Sequence, residues 1–145
     1  YIKKYKNKKR IAVLVSGDPG IYSLLGKLSK VLKPQEYTVI PGISALQLAF
    51  ARIGESWQDT KIISIHGRSP SNLAEQVQTS GKVFLFTDLK FPPQKVAAHL
   101  LKVGISNRKV VVFENLAYPH ERIVKTDLRS LSKMRGFGLC VIIIK

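Results

Sequence analysis

The chain has 145 residues, 24 Lys and Arg against 9 Asp and Glu for a formal charge of +15, 45% hydrophobic residues and a single cysteine. That hydrophobic content excludes an intrinsically disordered chain, one cysteine excludes a disulfide framework, and the longest apolar stretch, residues 139–144, is far short of the ~18 residues a membrane-spanning helix needs. Six basic residues fall in the first ten positions, yet the other 135 still hold 18 basic against 9 acidic residues. A surface of that sign suits a polyanion, whether RNA, anionic lipid or a small molecule with many carboxylates.

The opening run Lys3, Lys4, Lys6, Lys8, Lys9, Arg10 has no apolar core of the kind a signal peptide carries, and Tyr1 is not an initiator methionine. The expectation is a cytoplasmic protein read from a truncated N-terminus. Cys140 lies within an apolar run, where it is expected to pack as a small hydrophobe, and it has no companion cysteine at zinc-ligand spacing.

In chain order, residues 11–15 form a short continuous apolar run, followed by Ser16-Gly17-Asp18-Pro19-Gly20 and a helix-like stretch over 21–32. Residues 37–40 read as the next strand of the same βαβ unit, and continuous apolarity predicts strands buried on both faces. One such unit is too little sheet for a domain, so the first domain, residues 1–41, is expected to be incomplete. A second α/β domain is expected over 42–145. Ser44 is a possible N-cap for a helix ending near residue 53, with Gly54 as its stop. Strands are predicted at 62–66, 83–87, 110–114, 122–125 and 139–144, and helices at 73–78, 93–103 and 128–134. Pro92-Pro93 opens the second of these helices and Gly104 ends it.

The chemistry-bearing residues fall at strand ends. The glycines of Ser16-Gly-Asp-Pro-Gly20 would let backbone N–H groups approach a ligand, with Asp18 either facing it or capping the next helix. Pro41-Gly42-Ile43-Ser44-Ala45 admits a ligand or forms a plain interdomain turn. His66-Gly67-Arg68 follows a strand, and the imidazole either exchanges protons or is structural. Thr87-Asp88 and the stretch 114–122 end two further strands, and together these loops suggest one shared rim. No nucleophile–base arrangement can be assigned by spacing, and no phosphate-cradling or dinucleotide-binding glycine motif is present. Phe84 and Phe86 are expected to pack in the core.

Taken together, Ser16-Gly-Asp-Pro-Gly20 with Tyr22, Pro41-Gly-Ile-Ser-Ala45 with Gln47, Trp57-Gln58-Asp59, His66-Gly-Arg68, Thr87-Asp88 and Glu114-Asn-Leu-Ala-Tyr-Pro-His-Glu-Arg-Ile123 resemble the tetrapyrrole methylase family. His66-Gly-Arg68 and the Tyr118-Pro-x-Glu-Arg122 stretch are most similar to the branch that methylates C(5) of a precorrin or cobalt-precorrin in cobalamin biosynthesis.

The resemblance implies two α/β domains with S-adenosylmethionine in the cleft between them and S-adenosylhomocysteine as product. It implies cofactor contacts at Gly17, Asp18, Ile21, Ser44, Ala45, Thr87 and Leu116, and substrate contacts at His66, Gly67, Arg68, Tyr118 and Arg122. No protein-bound metal is expected, since any cobalt arrives with the substrate. A homodimer is implied, as is a separate partner for C(15) methylation and decarboxylation, because no second methyltransferase domain is present. One feature departs from the family: its opening G-x-G-P-G loop has no match here. Two alternatives are a ribosomal RNA ribose methyltransferase of the same superfamily, which the charge would suit, and a non-catalytic basic RNA-binding module.

Overall fold

A computed structural model describes residues 1–65 and 72–145, and divides into two units, Tyr1–Ser44 and Ala45–Lys145. The second unit holds a five-stranded sheet built from β1 (Lys61–Ser64), β2 (Val83–Phe86), β3 (Lys109–Glu114), β4 (Arg122–Asp127) and β5 (Cys140–Ile144), in the order β1-β2-β5-β3-β4. β1 and β2 are parallel, joined through α4 (Leu73–Gln78), while β5 is antiparallel to both β2 and β3. The last strand in the chain therefore fills the centre of the sheet. β3 and β4 form an antiparallel hairpin at the sheet edge, where charged Arg122, Lys125 and Asp127 discourage further pairing.

The register explains the apolar runs. Val83, Ile144 and Val110 lie in one cross-strand row and Leu85, Ile142 and Val112 in another, all on one face. Rows of Phe84, Ile143 and Val111, and of Phe86, Val141 and Phe113, face the other way. β5 is buried at every position because both faces are covered, so it reads as an unbroken apolar run. Against the first face pack Leu73 and Val77 of α4, Val96, Ala97 and Leu100 of α5 (Pro93–Lys102), and Leu128 and Leu131 of α6 (Leu128–Lys133). On the second face α3 (Ala45–Ile53) brings Phe50 to within 6.4 Å, centroid to centroid, of Phe84. Cys140 is buried as expected, and burial pushes its thiol up to about 12.

The two predicted glycine stops are found. Gly54, at φ +66°, lets Glu55 N–H reach back to the Phe50 carbonyl, and Gly104, at φ +86°, does the same for Ile105 N–H and Leu100. In each a left-handed glycine satisfies carbonyls that the helix leaves open. Asp127 caps α6, accepting from Ser130 N–H at 2.8 Å.

The first unit departs from expectation. Residues 11–15 and 37–40 are not strands, and the helix predicted over 21–32 contracts to α2 (Leu25–Leu28). A short α1 (Ile2–Tyr5) and a 3₁₀ turn (Pro34–Glu36) complete the unit. A strand exists only through a hydrogen-bonded neighbour, and these two segments do not pair with each other. Between them lies a cavity of about 790 Å³, lined by both and by Leu25, Leu28 and Leu32. Leu14 is consequently 93% exposed and Ile40 81%.

Candidate functional site

In the first unit the loops after the two extended segments meet. Asp18 accepts from Gly20 N–H at 2.7 Å and from Gly42 N–H at 3.3 Å, so its carboxylate ties loop 16–20 to loop 41–44. The contact is backbone against backbone, for a Cβ added to Gly42 would lie 2.5 Å from the Gly17 carbonyl oxygen. Gly17 itself sits at φ +71°, a conformation glycine adopts without strain. Of the residues predicted here, Gly17 is exposed, Asp18 and Ile21 half-buried and Ser44 buried.

In the second unit the carboxyl ends of β1, β2 and β3 share one edge of the sheet, because Ser64, Phe86, Val141 and Phe113 form a single cross-strand row. One residue further along, Thr87, Cys140, Glu114 and Arg122 cross the sheet together. The Thr87 hydroxyl donates to the Cys140 carbonyl at 2.7 Å, and Glu114 is in register with both Cys140 and Arg122. Thr87 thus locks β2 to β5 through its side chain.

Glu114 is a carboxylate that follows four buried apolar residues on β3 and is itself 8% exposed. One oxygen accepts from Gly138 N–H at 2.6 Å and the other from Arg122 Nε–H at 2.8 Å. These two bonds compensate the cost of burying the charge. The Arg122 guanidinium also lies over the Phe137 ring, 5.1 Å from its centroid.

The β3–β4 connection is tightly built. Asn115 and Ala117 hold positive φ of 52° and 68°, an uncommon conformation for an alanine. Two groups support it. Glu121 accepts from Ala117 N–H at 2.8 Å, and Arg52 of α3 grips the same carboxylate through Nε at 2.7 Å and Nη2 at 3.3 Å. The Arg52 guanidinium, then the Ala117 N–H, hold the Glu121 carboxyl below its ordinary value, and Arg52 is raised in turn. On this turn Leu116 is half-buried and Tyr118 is 55% exposed, with its ring 5.9 Å from that of His120.

The structure therefore brings Thr87, Leu116, Tyr118 and Arg122 to one rim of the second unit, with Ala45 half-buried at the start of α3. His66, Gly67 and Arg68 lie outside the described residues. No sequence pattern pointed to a partner for Glu114 or Glu121, or singled out Arg52. The partners stand 24 and 69 residues apart, and no local spacing signals such pairs. Among the described residues no three His, Cys, Asp or Glu side chains are grouped to hold a metal, and no helix is long and apolar enough to cross a membrane.

The family model of Tetrapyrrole (Corrin/Porphyrin) Methylases matches residues 1–132. A cobalt-precorrin-7 C(5)-methyltransferase of Salmonella typhimurium is 37% identical over 118 residues, covering 81% of this chain and 58% of the relative. A decarboxylating precorrin-6Y C(5,15)-methyltransferase of Mycobacterium tuberculosis is 32% identical over 110 residues, 76% of this chain and 27% of the relative. This chain thus spans little more than half of one relative and about a quarter of the other. Two solved structures share the fold: the cobalamin biosynthesis precorrin-6Y methylase of Archaeoglobus fulgidus, with TM-score 0.61, 21% identity and coverage of 89% and 59%, and the uroporphyrin-III C-methyltransferase of Thermus thermophilus complexed with S-adenosylhomocysteine, with TM-score 0.77, 17% identity and coverage of 99% and 69%. The chain belongs to the tetrapyrrole (corrin/porphyrin) methylase family.

Proposed function

We propose that the protein carrying this chain transfers a methyl group from S-adenosylmethionine to C(5) of a precorrin or cobalt-precorrin in cobalamin biosynthesis. The observation that carries this reading is the 37% identity to a cobalt-precorrin-7 C(5)-methyltransferase over 81% of the chain. The ribosomal RNA alternative has no comparable relative behind it, and the basic surface is as well suited to a ring bearing several carboxylates.

The residues fit the cofactor. Gly17 and Gly42 meet with no side chain between them, and Ile21 of the following segment is half-buried. Close-approaching backbone with nearby apolar surface suits a nucleoside joined to an amino acid. Gly17, Asp18, Ile21 and Ser44 of the first unit and Ala45, Thr87 and Leu116 of the second are the residues assigned to hold it. Asp18 acts by fixing the two loops, since its oxygens are already committed to Gly20 and Gly42. When bound, S-adenosylmethionine supplies a methyl on a sulfonium, and its transfer needs alignment and exclusion of water more than a strong protein base. Tyr118 and Arg122 on the rim, with His66, Gly67 and Arg68, are assigned to the anionic ring, which arginine grips by charge-assisted bonds.

The reading extends to a cytoplasmic homodimer and to a separate enzyme for the C(15) step. The test is a labelled methyl-transfer assay on the natural gene product, offering corrin-pathway intermediates and small-subunit ribosomal RNA in parallel. Label in the corrin, with the mass gain of one methyl, is expected. Label in RNA alone overturns the substrate and keeps the cofactor.

A further inference from the structure

We propose that Glu114 is a positioning residue that holds the Arg122 guanidinium as a fork for one carboxylate of the substrate, an inference that rests on the reading of Arg122 as a substrate contact. Glu114 takes Arg122 by Nε alone, at 2.8 Å. In a planar guanidinium this leaves the edge formed by the two terminal nitrogens for a second, bidentate acceptor. Among the described residues, the protein hydrogen bond of Arg122 is the one to Glu114, and its side chain remains 51% exposed. Phe137 lies against the guanidinium at 5.1 Å, which limits rotation of its plane.

Glu114 is itself immovable for a stated reason. It sits at the end of β3 in register with Cys140 of the central strand, and its other oxygen is held by Gly138 N–H. The carboxylate lowers the net charge that an incoming anion meets, so its contribution is orientation rather than attraction. An arginine on an open β-edge otherwise sweeps many rotamers, and ordering it at each binding event weakens affinity. A lysine at position 122 would keep the charge and the ion pair but offer no fork.

The experiment is a double-mutant cycle on the natural gene product, reading methyl transfer to the corrin acceptor for Glu114→Ala, Arg122→Ala, Arg122→Lys and the double alanine variant. Glu114→Ala is expected to raise KM about tenfold while kcat changes little. The double variant should be no worse than Arg122→Ala, since both act through one contact, and Arg122→Lys should match Arg122→Ala. An unchanged KM in Glu114→Ala, or additive effects, overturns the proposal. If Glu114→Ala fails to fold, Glu114→Leu fills most of the volume, offers no acceptor and carries the same cycle. A second readout needs no substrate: the Arg122 Nε–H should be protected from solvent exchange in the wild type and lose that protection in Glu114→Leu. Lack of protection in the wild type overturns the clamp whatever the assay shows, whereas methylation of RNA instead of corrin overturns the substrate reading and leaves the clamp to the exchange measurement.

Discussion

Acids of this chain are scarce, and several of them are used as fasteners. Glu114 joins β3 to residue 138, Glu121 joins the β3–β4 turn to α3, and Asp127 starts α6. Arg52 and Ala117 lower Glu121, and the backbone N–H of Ser130, then its hydroxyl, lowers Asp127. A carboxyl lowered in the folded state contributes stability that is complete above its ordinary value and is lost as pH falls through that of the folded state. Denaturation midpoints should therefore drop between neutral pH and about pH 3, with a shallower slope in Glu121→Gln and Asp127→Asn. Urea titrations across that range check this, and equal slopes in wild type and variants would refute it. At Gly42 the constraint is steric. An alanine Cβ 2.5 Å from the Gly17 oxygen must part the two loops, so Gly42→Ala should weaken S-adenosylhomocysteine binding about tenfold or more in calorimetry. The far-UV spectrum should hardly move.

At the scale of the element, β5 decides the second unit. It is the last strand in sequence yet lies between β2 and β3, buried on both faces, and without it the two halves of the sheet share no ladder. Ile142 is fully buried between Leu85 and Val112. Replacing it with alanine leaves a void that close packing cannot refill, so Ile142→Ala should destabilise the unit by about 3 kcal/mol in equilibrium denaturation. A loss below 1 kcal/mol, as order of magnitude, would mean that the sheet repacks around the gap. Such a central, late strand also makes the pairings non-local, which slows folding relative to a helical chain of the same size.

For the whole molecule the two units stand in contrast. The second has a two-faced sheet and a continuous core, whereas the first exposes apolar residues along two unpaired segments. Leu14 at 93% and Ile40 at 81% exposure are liabilities in water. The 145-residue chain should therefore associate with rising concentration in sedimentation velocity, and Leu14→Lys with Ile40→Lys should reduce that association. Added salt should strengthen association in the wild type, because it screens the repulsion of a +15 chain while leaving apolar contacts intact. Association weakened by salt would assign it to charge instead.

Much of the second unit was legible in the chain. The runs read as strands at residues 83–87, 110–114 and 139–144 are strands to within a residue at their ends, and Pro93, Gly54 and Gly104 mark helix ends through backbone restrictions that need no partner. The polar loops at strand ends announced a rim, and their motifs announced the family. What local pattern could not supply was pairing. The insertion of β5 between β2 and β3, the grip of Arg52 on Glu121 and the burial of Glu114 all join residues distant in sequence, and their energies depend on register and burial that appear only once the sheet closes. The same physics explains the failed strands at 11–15 and 37–40. Apolarity there is a property of the residues, but a ladder is a property of two chains lying side by side.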